Sequence, residues 1–203
     1  MALRIVVLAS GSGTLLQSLL DACASGEVDA TVVALGADRD GIRALDRARA
    51  ASVPTFVLPV SRFPSRAAWD QALRDVVAGF APDLVVSAGF MKLLGPAFLA
   101  SFGGRTVNTH PALLPSFAGM HGARDALEYG VKITGATIFL VDDGVDTGRI
   151  LGQVPVPVLP DDTVETLHER IKVEERRLLI DTVASWPSAG ATQPRPPASP
   201  GAS

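Results

Sequence analysis

One cysteine, one tyrosine, two tryptophans and three histidines in 203 residues close off several common chemistries. The single cysteine, Cys23, excludes an intrachain disulfide and agrees with a reducing compartment. Three histidines and one cysteine without ligand spacing give no metal-site pattern, so no metal is expected. Aromatics make up only 5% of the chain, and the core has to be built mainly from Ala, Val, Leu and Ile. A basic excess is missing as well: the net charge is -3, which is not the balance that binding a polyanion favours, and nucleic acid is not an expected partner. Long hydrophobic runs are also missing. The most apolar region, Leu84 to Phe102, is interrupted by Gly89, Lys92, Gly95 and Pro96. It reads as a buried strand, a loop and a short helix rather than a membrane span. The first apolar run is too short for a signal peptide and leads straight into a glycine turn. The expectation is a cytoplasmic protein with no membrane partner.

What is present is a chain 47% hydrophobic, enough for one well-packed domain over residues 1–186. Residues 187–203, "PSAGATQPRPPASPGAS", hold too little apolar surface to offset ordering entropy and are expected to be a disordered tail. Before that tail, short β-branched runs alternate with helical patterns. Leu3–Leu8, Ala30–Leu35, Thr55–Leu58, Leu84–Ser87 and Arg105–Asn108 read as strands, apolar enough to be covered on both faces. Thr14–Ala24, Gly41–Ala51 and Ser65–Phe80 read as helices. Lys132–Val141 and Arg149–Val158 are extended segments joined by "DDGVDTG", an antiparallel hairpin. Thr163–Val183 is a last helix capped by Asp161 or Asp162, with Val164, Leu167, Ile171, Leu178 and Leu179 on its buried face. The fold class is therefore α/β: a three-layer, open, mostly parallel Rossmann-like sheet with helices on both faces and an antiparallel hairpin at the C-terminal end.

In such sheets ligands bind beyond the carboxyl ends of the parallel strands. "LASGSGT" stands at the first of these ends. Gly11 and Gly13 permit a tight turn that can aim the amides of Gly13, Thr14 and Leu15 at an anion on a helix N-terminus. A dinucleotide fingerprint would have a third glycine where Leu16 stands, so a single phosphate fits better than a pyrophosphate. A plain turn with a threonine cap fits the segment equally well. "VNTHPALLP" stands at another strand end. Asn108 and His110 share one side of the strand by its two-residue period, and Pro111 ends the ladder. An amide that donates beside an imidazole that donates or accepts suits an oxyanion and a proton transfer. A lone histidine is more often a satisfied core residue, and position is what favours the catalytic reading. In the hairpin loop, glycines two residues to either side of Asp146 let it fold inward, and a carboxylate near His110 favours the imidazolium. Asp142 and Asp143 fit a solvated connection. His121 and His168 carry weaker signals; His168 falls in the polar pattern of the last helix and is expected to be exposed. Gly11-Ser12-Gly13 is not a nucleophile elbow, which removes a serine hydrolase.

Together these residues resemble the folate-dependent phosphoribosylglycinamide formyltransferase family. The likeness runs from Leu3 to about Val183, through "VVLASGSGTLLQSLL", "LVVSAGFMKLL", "VNTHPALLPSFAGMHG" and "DDGVDTGRIL" in the family's order. The resemblance implies the formyltransferase fold and transfer of a formyl group from 10-formyltetrahydrofolate to the glycinamide amine of a ribose phosphate in purine biosynthesis. It implies Asn108, His110 and Asp146 as the catalytic set, and Gly13, Thr14 and Leu15 as the phosphate site. It further implies Glu175, with Lys172, Val173 and Glu174, near the ribose and glycinamide. Arg66, Met91, Lys92, Leu93, Leu94, Asn108, Asp142, Asp143, Gly144, Val145 and Asp146 would line the folate pocket. The state expected is monomer or homodimer. Three positions depart from the family pattern: Leu15 replaces a usual asparagine, Ala112 a common serine, and Phe139 a frequent histidine.

Three other readings compete. A formyl-folate deformylase shares the three catalytic residues but carries a regulatory domain in front. A methionyl-tRNA formyltransferase needs a further C-terminal domain, and neither is expected here. A non-catalytic phosphate-binding module needs neither Asn108 nor Asp146.

Overall fold

The computed structural model of the chain describes residues 2–187. All but the first residue of the expected tail lie outside them. Seven strands and six α-helices follow in the order β1 (Leu3–Ala9), α1 (Thr14–Ser25), β2 (Ala30–Ala37), α2 (Arg43–Ala50), β3 (Thr55–Val57), α3 (Arg66–Gly79), β4 (Leu84–Ser87), α4 (Pro96–Phe102), β5 (Thr106–His110), α5 (Gly122–Tyr129), β6 (Ile133–Leu140), β7 (Ile150–Pro157) and α6 (Val164–Ala184). They form one sheet in the order β3-β2-β1-β4-β5-β6-β7. The first five strands pair in parallel, while β6 and β7 run antiparallel at one edge. The strand order reverses between β1 and β4, which opens a crevice at their carboxyl ends.

The two sides of the sheet are packed with different residues. One face buries Ile5, Val7, Leu35 and Val86 under Leu16 and Leu19 of α1, Leu45 of α2 and Leu179 and Val183 of α6. The other buries Val6, Leu8 and Val85 under Trp69, Leu73 and Val77 of α3 and Phe98 and Phe102 of α4. The few aromatics are thus concentrated on one side. A third cluster, Ala123, Ala136, Val156, Leu167 and Ile171, seats α5 and α6 on the hairpin.

Several expectations need correction. The cap of α6 is Thr163, whose hydroxyl accepts from the Thr166 amide in a reciprocal capping box. Asp162 instead holds Arg170 in a bidentate pair at 2.7 Å through both guanidinium nitrogens. Val164 and Leu178 are only partly buried, while Glu175, Ile180 and Val183 join the inner face. His168 is half-buried, and burial pushes its imidazole down from the ordinary value. Cys23 is half-buried on α1 against the first core cluster. His110 is the last residue of β5 rather than a residue beyond it, because the strand runs to the proline that lacks a ladder donor. Helix α5 was not foreseen. Its buried stripe consists of Gly122, Ala123 and Ala126, too small to register as a hydrophobic face. Gly130, in the left-handed conformation that ends it, was the available signal.

Candidate active site

Helix α1 starts without a side-chain cap. Its N-cap is Gly13 at φ +70°, so the threonine-capped turn does not form. A Cβ at Gly13 would lie 2.7 Å from the Cα and Cβ of Ala44 on α2, and only glycine fits this approach. The turn is fixed from outside by hydrogen bonds to its carbonyls. Ala44 N donates to Gly11 O at 3.1 Å, and Arg47 Nε donates to Ser12 O at 2.9 Å. With the carbonyls taken, the first-turn amides from Thr14 onward are the groups left facing outward. A helix N-terminus in this state favours an anion.

On β5 the period-two prediction holds: His110 stands opposite Thr137 and Asn108 opposite Phe139 on β6. His110 is buried, its side chain 4% exposed, and Asn108 is half-buried. Thr137 steadies the chain that leaves this strand. Its hydroxyl donates to Ala112 O at 2.7 Å and accepts from Leu114 N at 3.0 Å, while Gln153 Nε2 donates to Leu114 O at 2.8 Å.

The β6–β7 connection brings Asp146 in. Its Oδ2 lies 3.3 Å from His110 Nδ1, with the carboxylate side chain 12% exposed. Asp146 sits at φ +56°. The flanking glycines make the turn possible, since a Cβ on Gly148 would meet Leu140 O at 1.6 Å and one on Gly144 would meet Thr147 Oγ1 at 1.9 Å. Asp142 spends its carboxylate on the loop itself, accepting from Gly144 N at 3.1 Å and Thr147 Oγ1 at 2.8 Å. Asp143 and Val145 face outward.

The segment after Pro115 completes the arrangement. The Phe117 carbonyl accepts from His110 Nε2 at 2.7 Å, and Gly119 N donates to Asp146 Oδ2 at 2.8 Å. A carbonyl can only accept, so Nε2 carries the proton. Nδ1, the other ring nitrogen, is turned to the Asp146 carboxylate.

Of the four α6 positions, helical periodicity turns only Glu175 toward the sheet. It is 6% exposed and bonded to the Thr109 side chain. Burial raises its carboxyl to about 7, against the lowering influence of Thr109, Lys172 and Arg176. Lys172 Nζ pairs with Glu169 at 2.8 Å, Glu174 lies 3.7 Å from Arg177, and Val173 is exposed. In the loop after β4, Met91 and Leu93 are exposed and Leu94 is buried. The Arg66 guanidinium donates to the Leu93 carbonyl and lies over the Trp69 ring at 4.1 Å. Lys92 turns its ammonium to Asp38 at 2.9 Å. Neither Asp38 nor Thr109 was among the expected site residues. The signal for Asp38 was an acid directly after an apolar strand in "GADRD".

Residues 3–183 match the formyl transferase family model. The chain belongs to the formyl transferase family. It is 61% identical over 189 residues to a phosphoribosylglycinamide formyltransferase of Mycobacterium tuberculosis, covering 93% of this chain and 87% of that one. Another, from Escherichia coli, is 39% identical over 184 residues, covering 91% and 86%. Among solved structures, the glycinamide ribonucleotide transformylase 1 of Symbiobacterium toebii superposes with a TM-score of 0.88 at 43% identity, covering 90% of this chain and 86% of that one. The seven-stranded α/β architecture of this chain matches that solved transformylase structure, so the expected fold class stands. No helix among the described residues is long and apolar enough to cross a membrane. Among the same residues no group of three or more His, Cys, Asp or Glu side chains could hold a metal ion.

Proposed function

We propose that the chain transfers the formyl group of 10-formyltetrahydrofolate to the glycinamide amine of phosphoribosylglycinamide, in the cytoplasm, as a step of purine biosynthesis. The observation that carries this reading is the buried His110–Asp146 pair with Asn108 two residues away on the same strand face. A phosphate-binding module would have no use for it. The uncapped α1 N-terminus, Gly13 to Leu15, supports a phosphate on one side of β5, where Glu175 and Thr109 supply polar groups for the ribose. On the other side, the exposed Met91 and Leu93 with the Asp142–Asp146 loop provide apolar surface and backbone suited to a flat heterocycle such as the folate ring.

Formyl transfer forms a bond from the amine nitrogen to the formyl carbon and breaks the bond from that carbon to the folate nitrogen. One proton moves from the amine to the leaving nitrogen. Negative charge gathers on the formyl oxygen in between, and the Asn108 amide and His110 Nε2 are the donors that meet it. Preorganised donors of this kind contribute about 3–4 kcal/mol each. His110 Nε2 gives up the neutral Phe117 carbonyl for an oxygen that carries charge only as reaction proceeds. The gain therefore falls in the transition state rather than in binding. Asp146 orients the ring through Nδ1, at 3.3 Å. His110, or a water held by Asp146, carries the proton.

The experiment is formyl transfer measured with and without the glycinamide substrate. Product formation that needs the acceptor supports the transferase. Release of formate without it would establish the deformylase reading, and neither reaction would leave a phosphate-binding module.

A further inference from the structure

Three strand ends lie side by side where the sheet order reverses. In register, Ala37 of β2 stands beside Ala9 of β1, and Leu8 of β1 beside Ser87 of β4. The residues that follow them are Asp38, Ser10 and Ala88-Gly89. The Asp38 side chain is only 1% exposed, yet it is an acid next to the turn proposed for a phosphate. A buried carboxylate without partners would be costly and would repel an anion. It has three partners: Arg39 Nη2 at 2.8 Å, Lys92 Nζ at 2.9 Å and the Ser10 side chain. Burial pushes its carboxyl up, but these hydrogen bonds outweigh that and hold it down to about 2. One carboxylate against two cations leaves a net positive charge beside the anion site.

The partners reach two loops at once. Ser10 Oγ, donating to Asp38, accepts from Met91 N at 2.8 Å, and Ser10 N donates to Gly89 O at 3.2 Å. Ser10 directly precedes the Gly11–Gly13 turn, while Met91 and Lys92 belong to the loop that carries the apolar surface. From behind, Asp70 of α3 secures the far end of that loop, accepting from Gly95 N at 2.7 Å and Ala97 N at 2.8 Å.

We propose that Asp38 is a positioning residue that ties the phosphate turn to the Gly89–Leu94 loop through Ser10 and Lys92, so that both substrates meet preset binding surfaces. The inference rests on the formyl-transfer reading. Neither loop supplies Asn108, His110 or Asp146, so on that reading the binding that Asp38 organises is uniform between ground and transition states. Its loss raises KM and spares kcat.

The test compares the wild-type chain with Asp38→Asn, Ser10→Ala, Lys92→Met and the Asp38→Asn/Lys92→Met double variant. Asp38→Asn is expected to raise KM for both substrates by about tenfold while kcat stays within about threefold. Lys92→Met should raise chiefly the formyl-donor KM. The double variant should be no worse than Asp38→Asn in that KM, because the two act as one unit. A fall in kcat at unchanged KM, or additive donor-KM effects, would overturn the proposal. So would a lowered melting temperature with unaltered kinetics per folded molecule. If Asp38→Asn does not fold, Ser10→Ala, which cuts the same link, must show the double KM rise or the proposal fails. Should the wild-type chain transfer no formyl group, the functional reading falls separately. Titration of inorganic phosphate into wild-type protein and Asp38→Asn then decides on Asp38: weaker binding by the variant supports it and equal affinity refutes it.

Discussion

The carboxyl edge of the sheet is built in two ways. At the ends of β2, β1 and β4, three parallel strands deliver their loops side by side, and backbone and carboxylate hydrogen bonds tie these loops to one another. The one positive φ in the β1–α1 turn falls on Gly13, where it costs little. Beyond β5 the chain turns back on itself. The pieces there come from the segment after Pro115 and from the antiparallel hairpin, and Phe117 and Asp146 both sit at φ +56°. Such positions cost on the order of 1–3 kcal/mol, less for an aspartate than for a phenylalanine. At this edge strain therefore gathers where His110 meets its partners, while the side proposed for the phosphate is relaxed. A binding surface needs only fixed donors. A histidine that reacts, as proposed for His110, needs a carboxylate on one nitrogen and an exchangeable acceptor on the other, and loops with unusual backbone supply both.

This contrast sets the order of expected effects. On the proposed mechanism His110→Ala removes a donor and one of the two proton carriers together. Turnover should fall by about 10³–10⁴ while ribose-phosphate affinity, read by calorimetry, changes little. Equal losses in turnover and affinity would erase the distinction between the two sides. Asp146→Asn retains the shape of the loop but removes the charge facing Nδ1, and kcat should drop by about 10²–10³ at constant melting temperature. An Asp146→Asn chain of full activity would mean that the carboxylate only pins Gly119.

On the relaxed side, Glu175 gives a pH effect. Its carboxyl is raised from 4.5 to about 7, so the folded state binds the proton more readily than the unfolded one. That stabilising contribution is present below about pH 4.5 and is lost as pH rises through 7, a change of up to about 3 kcal/mol. Denaturant titrations of ligand-free Glu175→Gln should show a flatter stability profile across that window; a parallel profile would place the proton elsewhere. Smallest is Gly13→Ala, expected to cost about 1–2 kcal/mol of stability from the left-handed backbone and the Ala44 contact. Ribose-phosphate KM should rise with kcat largely retained, and a kcat loss exceeding the KM effect would join this turn to the chemistry.

Much of this was legible along the chain because it depends on local order. Alternating β-branched runs and helical patterns specify a parallel α/β sheet, and glycines on both sides of Asp146 specify a loop able to fold inward. The period of a strand was enough to set Asn108 and His110 on one face. Other features depend on groups distant in sequence and could be decided only by packing. The Phe117 carbonyl on His110 Nε2, Lys92 drawn to a buried Asp38, Thr109 bonded to Glu175, and an α5 held by alanines are of this kind. A backbone carbonyl has no sequence signature. A buried charge is identified only by the partners that the fold carries to it, because its cost depends on its surroundings rather than on its residue type.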